Sequence, residues 1–430
     1  MKCKVICILV LIGFSMKHLA AQNISDSTKV DTNLVTVIED PVFYPKTQEL
    51  ITSFNYDFAS HLNNAFLMTY LSSGFIDDEL KNENLNRLNG ENNPLGMSSD
   101  FILQYRNVPG NLFGNATLGY SFAVEWHSVN ELLFSDDLFS LLFFGTQQFA
   151  GQEPASLHNT ITNNLNYYQL KGGLFNKDDF NDLEFGFQVA INLGNQYSSF
   201  RAENASLYVD SLGQYLDFQG ELYYVSTSVT GNNYSKIQGY GASVDLYFQK
   251  EIERNYKFRI DIRNLGYIYW NNETQIYNEA QTVHFEGIEI DNIFDNSISI
   301  SSTSLQDSIS NYIVENSKFD NKNIYTPADI SIYYMRYLSK YISVNGNFRY
   351  RVHSLADTYY SIGADYHFNK DLSLGGNLNY GAYSKINIGL NFQVKIKTNF
   401  AIEFQSRYLT GMIAHSFSGI GAFMQLNYKF

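Results

Sequence analysis

Tyr341 to His353, YISVNGNFRYRVH, places Ile342, Val344, Gly346, Phe348, Tyr350 and Val352 at its even positions, and Ser343, Asn345, Asn347, Arg349, Arg351 and His353 at its odd ones. Successive side chains of a strand point to opposite faces, so the stretch reads as a strand with one apolar and one wet face. The next segments keep the parity: Tyr360, Ile362, Ala364, Tyr366 and Phe368, then Leu372 to Tyr380, Ile386 to Ile396, and Phe400 to Tyr408. The chain ends in the same register, with Ile420, Ala422, Met424, Leu426, Tyr428 and Phe430 on one face.

Upstream the texture recurs near 97–107, 115–127, 164–175, 182–194, 237–249, 257–270 and 328–338. With 341–353, 357–368, 371–382, 385–396, 399–409 and 418–430 this makes thirteen strands. Single-chain membrane barrels of bacteria have an even count, with both chain ends on the periplasmic side. The missing strand is Leu50 to Phe58, where Phe54, Tyr56 and Phe58 alternate with Ser53, Asn55 and Asp57. The expected fold class is all-β, a transmembrane antiparallel β-barrel of about 14 strands with a helical plug or cap segment near its N-terminus.

The links sort into two kinds. Those at 176–182, 250–256, 339–340, 369–370 and 397–398 are short, and those at 128–163, 195–236 and 271–327 are long. Tight periplasmic turns alternating with long extracellular loops is the habit of bacterial barrels. Asn64 to Asn89 and Ser135 to Phe149 carry apolar residues at helical spacing, so either can fill the barrel as a plug or cover its outer mouth.

Parity also sorts the charges. A Lys or Arg on the lipid face at mid-membrane costs ~2–4 kcal/mol, and the even face of the strands from 342 to 404 carries none. Arg349, Arg351, Asp365, Lys395, Glu403 and Arg407 lie on the other face, and Arg259, Asp261 and Arg263 repeat the pattern upstream. These nine are the candidate lumen-lining residues. Two readings of them stand: neighbouring charges such as Arg349, Arg351 and Asp365 pair to fill space, or they form a polar constriction that selects solutes.

Composition agrees with a membrane barrel. There are 33 Tyr, 33 Phe and 29 Gly against 6 Pro, and the mean hydropathy of −0.23 is what alternating faces average to. Nowhere is there the uninterrupted apolar run of ~20 residues that a spanning helix needs. Met1 to Ala21 has the anatomy of an export signal: Lys2 and Lys4, an apolar run from Val5 to Phe14, and small residues at Ala20 and Ala21. Export would deliver the chain to the outer membrane of a Gram-negative bacterium, with 22–48 as a periplasmic segment and 49–430 as the barrel. Both cysteines, Cys3 and Cys7, lie in that leader, so disulfides and thiolate metal sites are not expected beyond it.

The net charge is −14, and the leader's lysines make the remainder more acidic still, which disfavours nucleic acid as a partner. The eight histidines show no metal-ligand spacing, no Gly-x-Ser-x-Gly elbow occurs, and Gly239-Tyr240-Gly241 sits in a strand without the third glycine of a dinucleotide loop. Neither an enzyme nor a cofactor is expected. The acidic run from Glu286 to Asp295 reads as a solvated loop or as a calcium-gathering one. Expected partners are outer-membrane lipid and the barrel assembly machinery, for which Tyr428 and Phe430 on the final strand would be the assembly signal.

The stretch NNAFLMTYLSSGFIDDELK, Asn63 to Lys81, ahead of the legible strands, together with the aromatic hairpins, resembles an uncharacterised family of outer-membrane proteins. That family is distantly similar to FadL-type fatty-acid transporters and PorV-type barrels. The resemblance implies a fourteen-strand barrel with an N-terminal plug that passes hydrophobic solutes sideways into the membrane. The chain departs from the fatty-acid transporters in reading Asn63-Asn64-Ala65 where they carry Asn-Pro-Ala, so no substrate residue carries over. The functional expectation is a channel or transporter for small solutes; the alternative is a non-transporting surface protein that acts in secretion, assembly or adhesion through its long loops.

Overall fold

The computed structural model describes residues 47–227, 236–252, 255–286, 316–397 and 399–430. The leader, nearly all of the 22–48 segment, the acidic run beyond Glu286 and parts of the 250–256 and 397–398 links lie outside the described residues.

Fourteen strands form the wall. They are β1 (Thr47–Ser60), β2 (Asn93–Val108), β3 (Leu118–Phe134), β4 (Thr160–Asp178), β5 (Leu183–Val209), β6 (Gly239–Ile252), β7 (Tyr256–Trp270), β8 (Ala328–Tyr337), β9 (Ile342–Val352), β10 (Asp357–Asn369), β11 (Leu372–Ala382), β12 (Ser384–Lys397), β13 (Phe400–Ser406) and β14 (Ile420–Lys429). Each pairs antiparallel with the next, and β14 returns to β1 from Glu49↔Lys429 to Phe58↔Ile420. Closure leaves the wall no edge, so its backbone polar groups are satisfied without water.

The faces follow the alternation. Ile362, Leu378, Tyr380, Ile386 and Ile388 are exposed on the outside, while Ser343, Asn377, Asn379 and Asn387 are buried inside. In β2 and β5 the exposed set is odd: Phe101 and Leu103, then Phe185, Phe187, Val189 and Ile191. β7 switches partway. Ile260 and Ile262 sit opposite Phe248 and Leu246, then Asn264 takes a left-handed conformation (φ 60°), and Leu265, Tyr267 and Tyr269 are the exposed residues beyond it. The Asp245 carboxylate, opposite this bulge, accepts the Asn264 backbone N–H at 2.6 Å, and the extra residue flips the outward parity.

Thr47 and Lys429 lie at the same end as the connections at 179–182, 338–341 and 370–371. The other end carries the long connections. β5 has 27 residues where a membrane crossing needs about ten. Its upper part, 198–209, pairs with Leu216–Ser226, which in turn pairs with Gln275–Phe285. The barrel thus carries a sheet that overshoots the wall.

The helical stretch expected over 64–89 follows the first wall strand. It forms α1 (Asn64–Leu71) and α2 (Asp78–Leu85) in the connection that follows β1, on the long-loop end, and so caps that mouth. Asn63 and Asp77 start these helices by accepting the N–H of Phe66 and Leu80. The second expected helix is α3 (Asp136–Phe144), with a 3₁₀ turn at Gln147–Phe149. Leu62, Phe66, Leu67, Phe134 and Phe139 bury together between α1, α3 and the strand ends and hold these helices in place. A short α4 (Leu409–Ile413) lies between β13 and β14.

Candidate functional site: a charged lumen and its closure

Inside the wall, toward the short-turn end, lies a chamber of about 540 Å³. Its lining includes Ser53, Asn55, Arg106, Gln188, Lys257, Arg259, Asp261, Arg263, Arg349, Arg351, Glu403 and Arg407. Two charged clusters bound it. In the first, Lys171 on β4 donates to Asp245 at 2.5 Å and to Asn264 at 2.8 Å, and lies 3.0 Å from Glu125. His127 sits between Asp100 (2.7 Å), Glu125 (2.9 Å) and Gln169 (2.9 Å), with its ring stacked on Tyr167. Gln169 then donates to Asn192 and Ser243, so polar contacts cross from strand to strand through the interior. Buried charges are tolerated when paired and hydrogen-bonded, and each of these has at least two partners.

The second cluster belongs to the C-terminal half, with Asp57 of β1 joining it. Arg351 holds both oxygens of Asp329, at 3.0 and 3.2 Å. Arg259 forks Asp261 with two bonds of 2.7 Å, Arg263 adds one of 3.2 Å, and Arg407 donates to Asp57 at 2.6 Å.

Above the charges the interior is filled. Leu165, Tyr167, Tyr197, Val225, Ile268 and Trp270 form a dry cluster. Gly194 and Gly239 leave the space that the Trp270 indole occupies; a Cβ on Gly194 would lie 2.7 Å from it. On the other side Tyr359, Tyr383 and Tyr408 are almost fully buried around a void of about 10 Å³, bordered also by Arg349, Arg351 and Arg407. That is room for one water-sized species. Tyr383 donates to Glu131 at 2.7 Å, and Tyr359 donates to Asn379 at 2.8 Å. Among the described residues the interior therefore narrows from a wet chamber to a tyrosine layer, with the helical cap beyond it.

Of the residues singled out by parity, Arg259, Asp261, Arg263, Arg349, Arg351, Glu403 and Arg407 line the chamber. Asp365 faces its neighbours instead, accepting from Asn345 at 2.6 Å and Asn391 at 3.4 Å. Lys395 is exposed, two residues from the end of β12. Tyr428 and Phe430 meet edge to face at 4.8 Å, and Phe430 N–H donates to Gln48 O. Sequence reasoning did not select Asp57, Asp329, Lys171, His127 or the three tyrosines. Asp57 stands on the wet face of its alternation, and that was the available signal; its partner Arg407 is 350 positions away.

The fold and this interior define a class: a closed antiparallel barrel with an apolar outside and a charged, partly filled lumen. The chain matches the model of the family of unknown function DUF5723 over residues 46–403, and it belongs to that family. No curated protein matches it in sequence. Among solved structures it is similar to a mutant of the TodX monoaromatic hydrocarbon channel (10% identity, TM-score 0.40, 89% of each chain covered). It is also similar to the Ralstonia pickettii toluene transporter TbuX (8%, 0.38, 89% of each) and to a Pseudomonas aeruginosa FadL homologue (9%, 0.37, 90% of each). No property of those proteins follows from these likenesses for this chain.

Proposed function

We propose that the protein resides in the outer membrane of a Gram-negative cell, where it acts as a gated channel for small polar solutes. Residues 1–21 would direct its export, and the Tyr428–Phe430 strand end its assembly. The supporting observation is the chamber: an apolar shell encloses a charged, water-accessible cavity at the short-turn end, closed above by tyrosines and a helical cap. An inert anchor has no use for such a cavity, whereas a solute path needs one. The charges on Arg259, Asp261, Arg263, Arg349, Arg351, Glu403 and Arg407 would set which solutes enter. The hydrophobic cargo implied by the FadL-type resemblance fits this polar lining poorly. No catalytic role is part of this reading.

The test is conductance of the purified chain in planar bilayers. Wild type should give a low, intermittent current, and deletion of 64–89 should raise it severalfold. A bilayer that stays sealed with both proteins refutes the proposal.

One observation favours a second reading, a surface protein that works through its loops: the sheet built from 198–209, Leu216–Ser226 and Gln275–Phe285 overshoots the wall. Deleting 271–327 should then abolish the cellular phenotype while membrane insertion and conductance persist.

A further inference from the structure

Arg349, Arg351 and Arg407 border both the large chamber and the small void, so their guanidiniums form the partition between the two. Their counter-charges are unevenly shared. Arg351 takes both Asp329 oxygens, which leaves Arg349 at 4.0 Å from the nearer one. Among the described residues the Arg349 side chain makes no hydrogen bond. Arg407 takes Asp57. The Arg349 and Arg407 guanidiniums lie 5.3 and 5.4 Å from the centroid of one ring, Tyr359, so two like charges share a single aromatic neighbour.

A second, independent donor points to the same place. The Tyr408 hydroxyl is buried and has no hydrogen-bond partner among the described residues, and Tyr408 lines the void. Buried donors are almost always satisfied by protein, water or an ion. Asp57 is taken by Arg407, and Asp329, on the chamber side of the partition, by Arg351; the other carboxylate at the void, Asp357, belongs to an exposed residue. A water molecule in the void would satisfy Tyr408 but bring no charge to Arg349.

We infer that the void is a binding site for one small monovalent anion, a halide by its size, held by the Arg349 guanidinium and the Tyr408 O–H with Arg407 beside it. The anion would act as a hydrogen-bonded counter-charge for Arg349. This inference does not rest on conduction, because its test reads stability rather than flux.

The full chain in detergent micelles is heated at constant ionic strength while sodium gluconate is exchanged for sodium chloride or bromide. The thermal midpoint should rise with halide concentration, as for any ligand that binds only the folded state. Arg349→Gln should abolish the shift. Tyr408→Phe, which keeps ring and charge, should raise the half-saturating halide concentration about tenfold, the loss of one charge-assisted hydrogen bond. Crystals soaked in bromide should show an anomalous peak between Arg349 and Tyr408. Equal midpoints in gluconate and halide for wild type, a halide shift that survives Arg349→Gln, or an unaltered half-saturation in Tyr408→Phe would each overturn the site. Should Arg349→Gln fail to fold, Tyr408→Phe and the bromide peak decide.

Discussion

Replacing Asn64 with Ala isolates the tie between the helical cap and the last loop. Asn64 is fully buried at the start of α1. Its Nδ2 donates to Gly411 O at 2.8 Å and Gly419 O at 2.9 Å, and its Oδ1 accepts Gly419 N–H at 2.8 Å. Removing the amide deletes all three bonds and leaves buried backbone groups of the 407–419 segment without partners. At about 1 kcal/mol for each bond, the segment should lose about 3 kcal/mol of local stability. The strand ladders are untouched, and the backbone bonds from Asn64 N–H to Phe417 O and Ala65 N–H to His415 O can persist, so insertion and the barrel itself should survive. The assay is hydrogen exchange by mass spectrometry in detergent, following peptides that cover 409–419. Three kcal/mol corresponds to exchange faster by roughly a hundredfold, since every 1.4 kcal/mol is about tenfold. Asn64→Asp should be at least as damaging, because its charge would face two carbonyls. Unchanged exchange in Asn64→Ala would refute the reasoning that this side chain's three bonds stabilise the 407–419 segment.

Three further outcomes follow from the interior. Asp329→Asn removes the carboxylate forked by Arg351 and leaves two largely buried guanidiniums unpaired. The loss should be about 3–5 kcal/mol, read as a lower guanidinium midpoint at unchanged slope. His61, in the cap, has its imidazole shifted below the ordinary range chiefly by burial, against a hydrogen bond with Asn93. Its folded state binds fewer protons than the unfolded one, so cap stability is complete above the ordinary histidine pKa and declines as pH falls through it toward the depressed folded value. Proteolysis within 61–92 should accelerate from neutral to mildly acidic pH, and His61→Gln should flatten that dependence. Gly194→Val places a branched side chain where Trp270 sits, so folding yield should collapse and recover in part with Trp270→Ala.

Much of this barrel is written in period-two alternation. All fourteen wall strands lie where alternation puts them, because a charge on the outward side of a membrane strand is heavily penalised and the pattern stays clean. The strand over 399–409 ends early, at Ser406, because Arg407 turns to meet Asp57 and Tyr408 buries beside it. The overshooting strands Leu216–Ser226 and Gln275–Phe285 lie inside the 195–236 and 271–327 loops: Gln275–Phe285 carries polar residues on both faces, whereas Leu216, Phe218, Leu222 and Tyr224 do alternate with Asp217, Gln219 and Glu221 and were a signal left unread. The interior was legible only in part. Parity tells which residues point inward, but not that Arg351 pairs with Asp329 across adjacent strands, or that Lys171 reaches Asp245. Those contacts depend on register, which a bulge such as the one at Asn264 can reset.

The central claim is that these strands separate hydrocarbon outside from water inside, and cysteine accessibility in lipid vesicles tests it most directly. The native cysteines are Cys3 and Cys7, both distant in sequence from the wall, so single cysteines can be placed at Ile362 on the outside and Ser53 in the chamber. Ile362→Cys should resist a water-soluble maleimide and react with a lipid-soluble one, while Ser53→Cys should do the reverse. Rapid labelling of Ile362→Cys by the water-soluble reagent, with Ser53→Cys protected from it, would contradict the account.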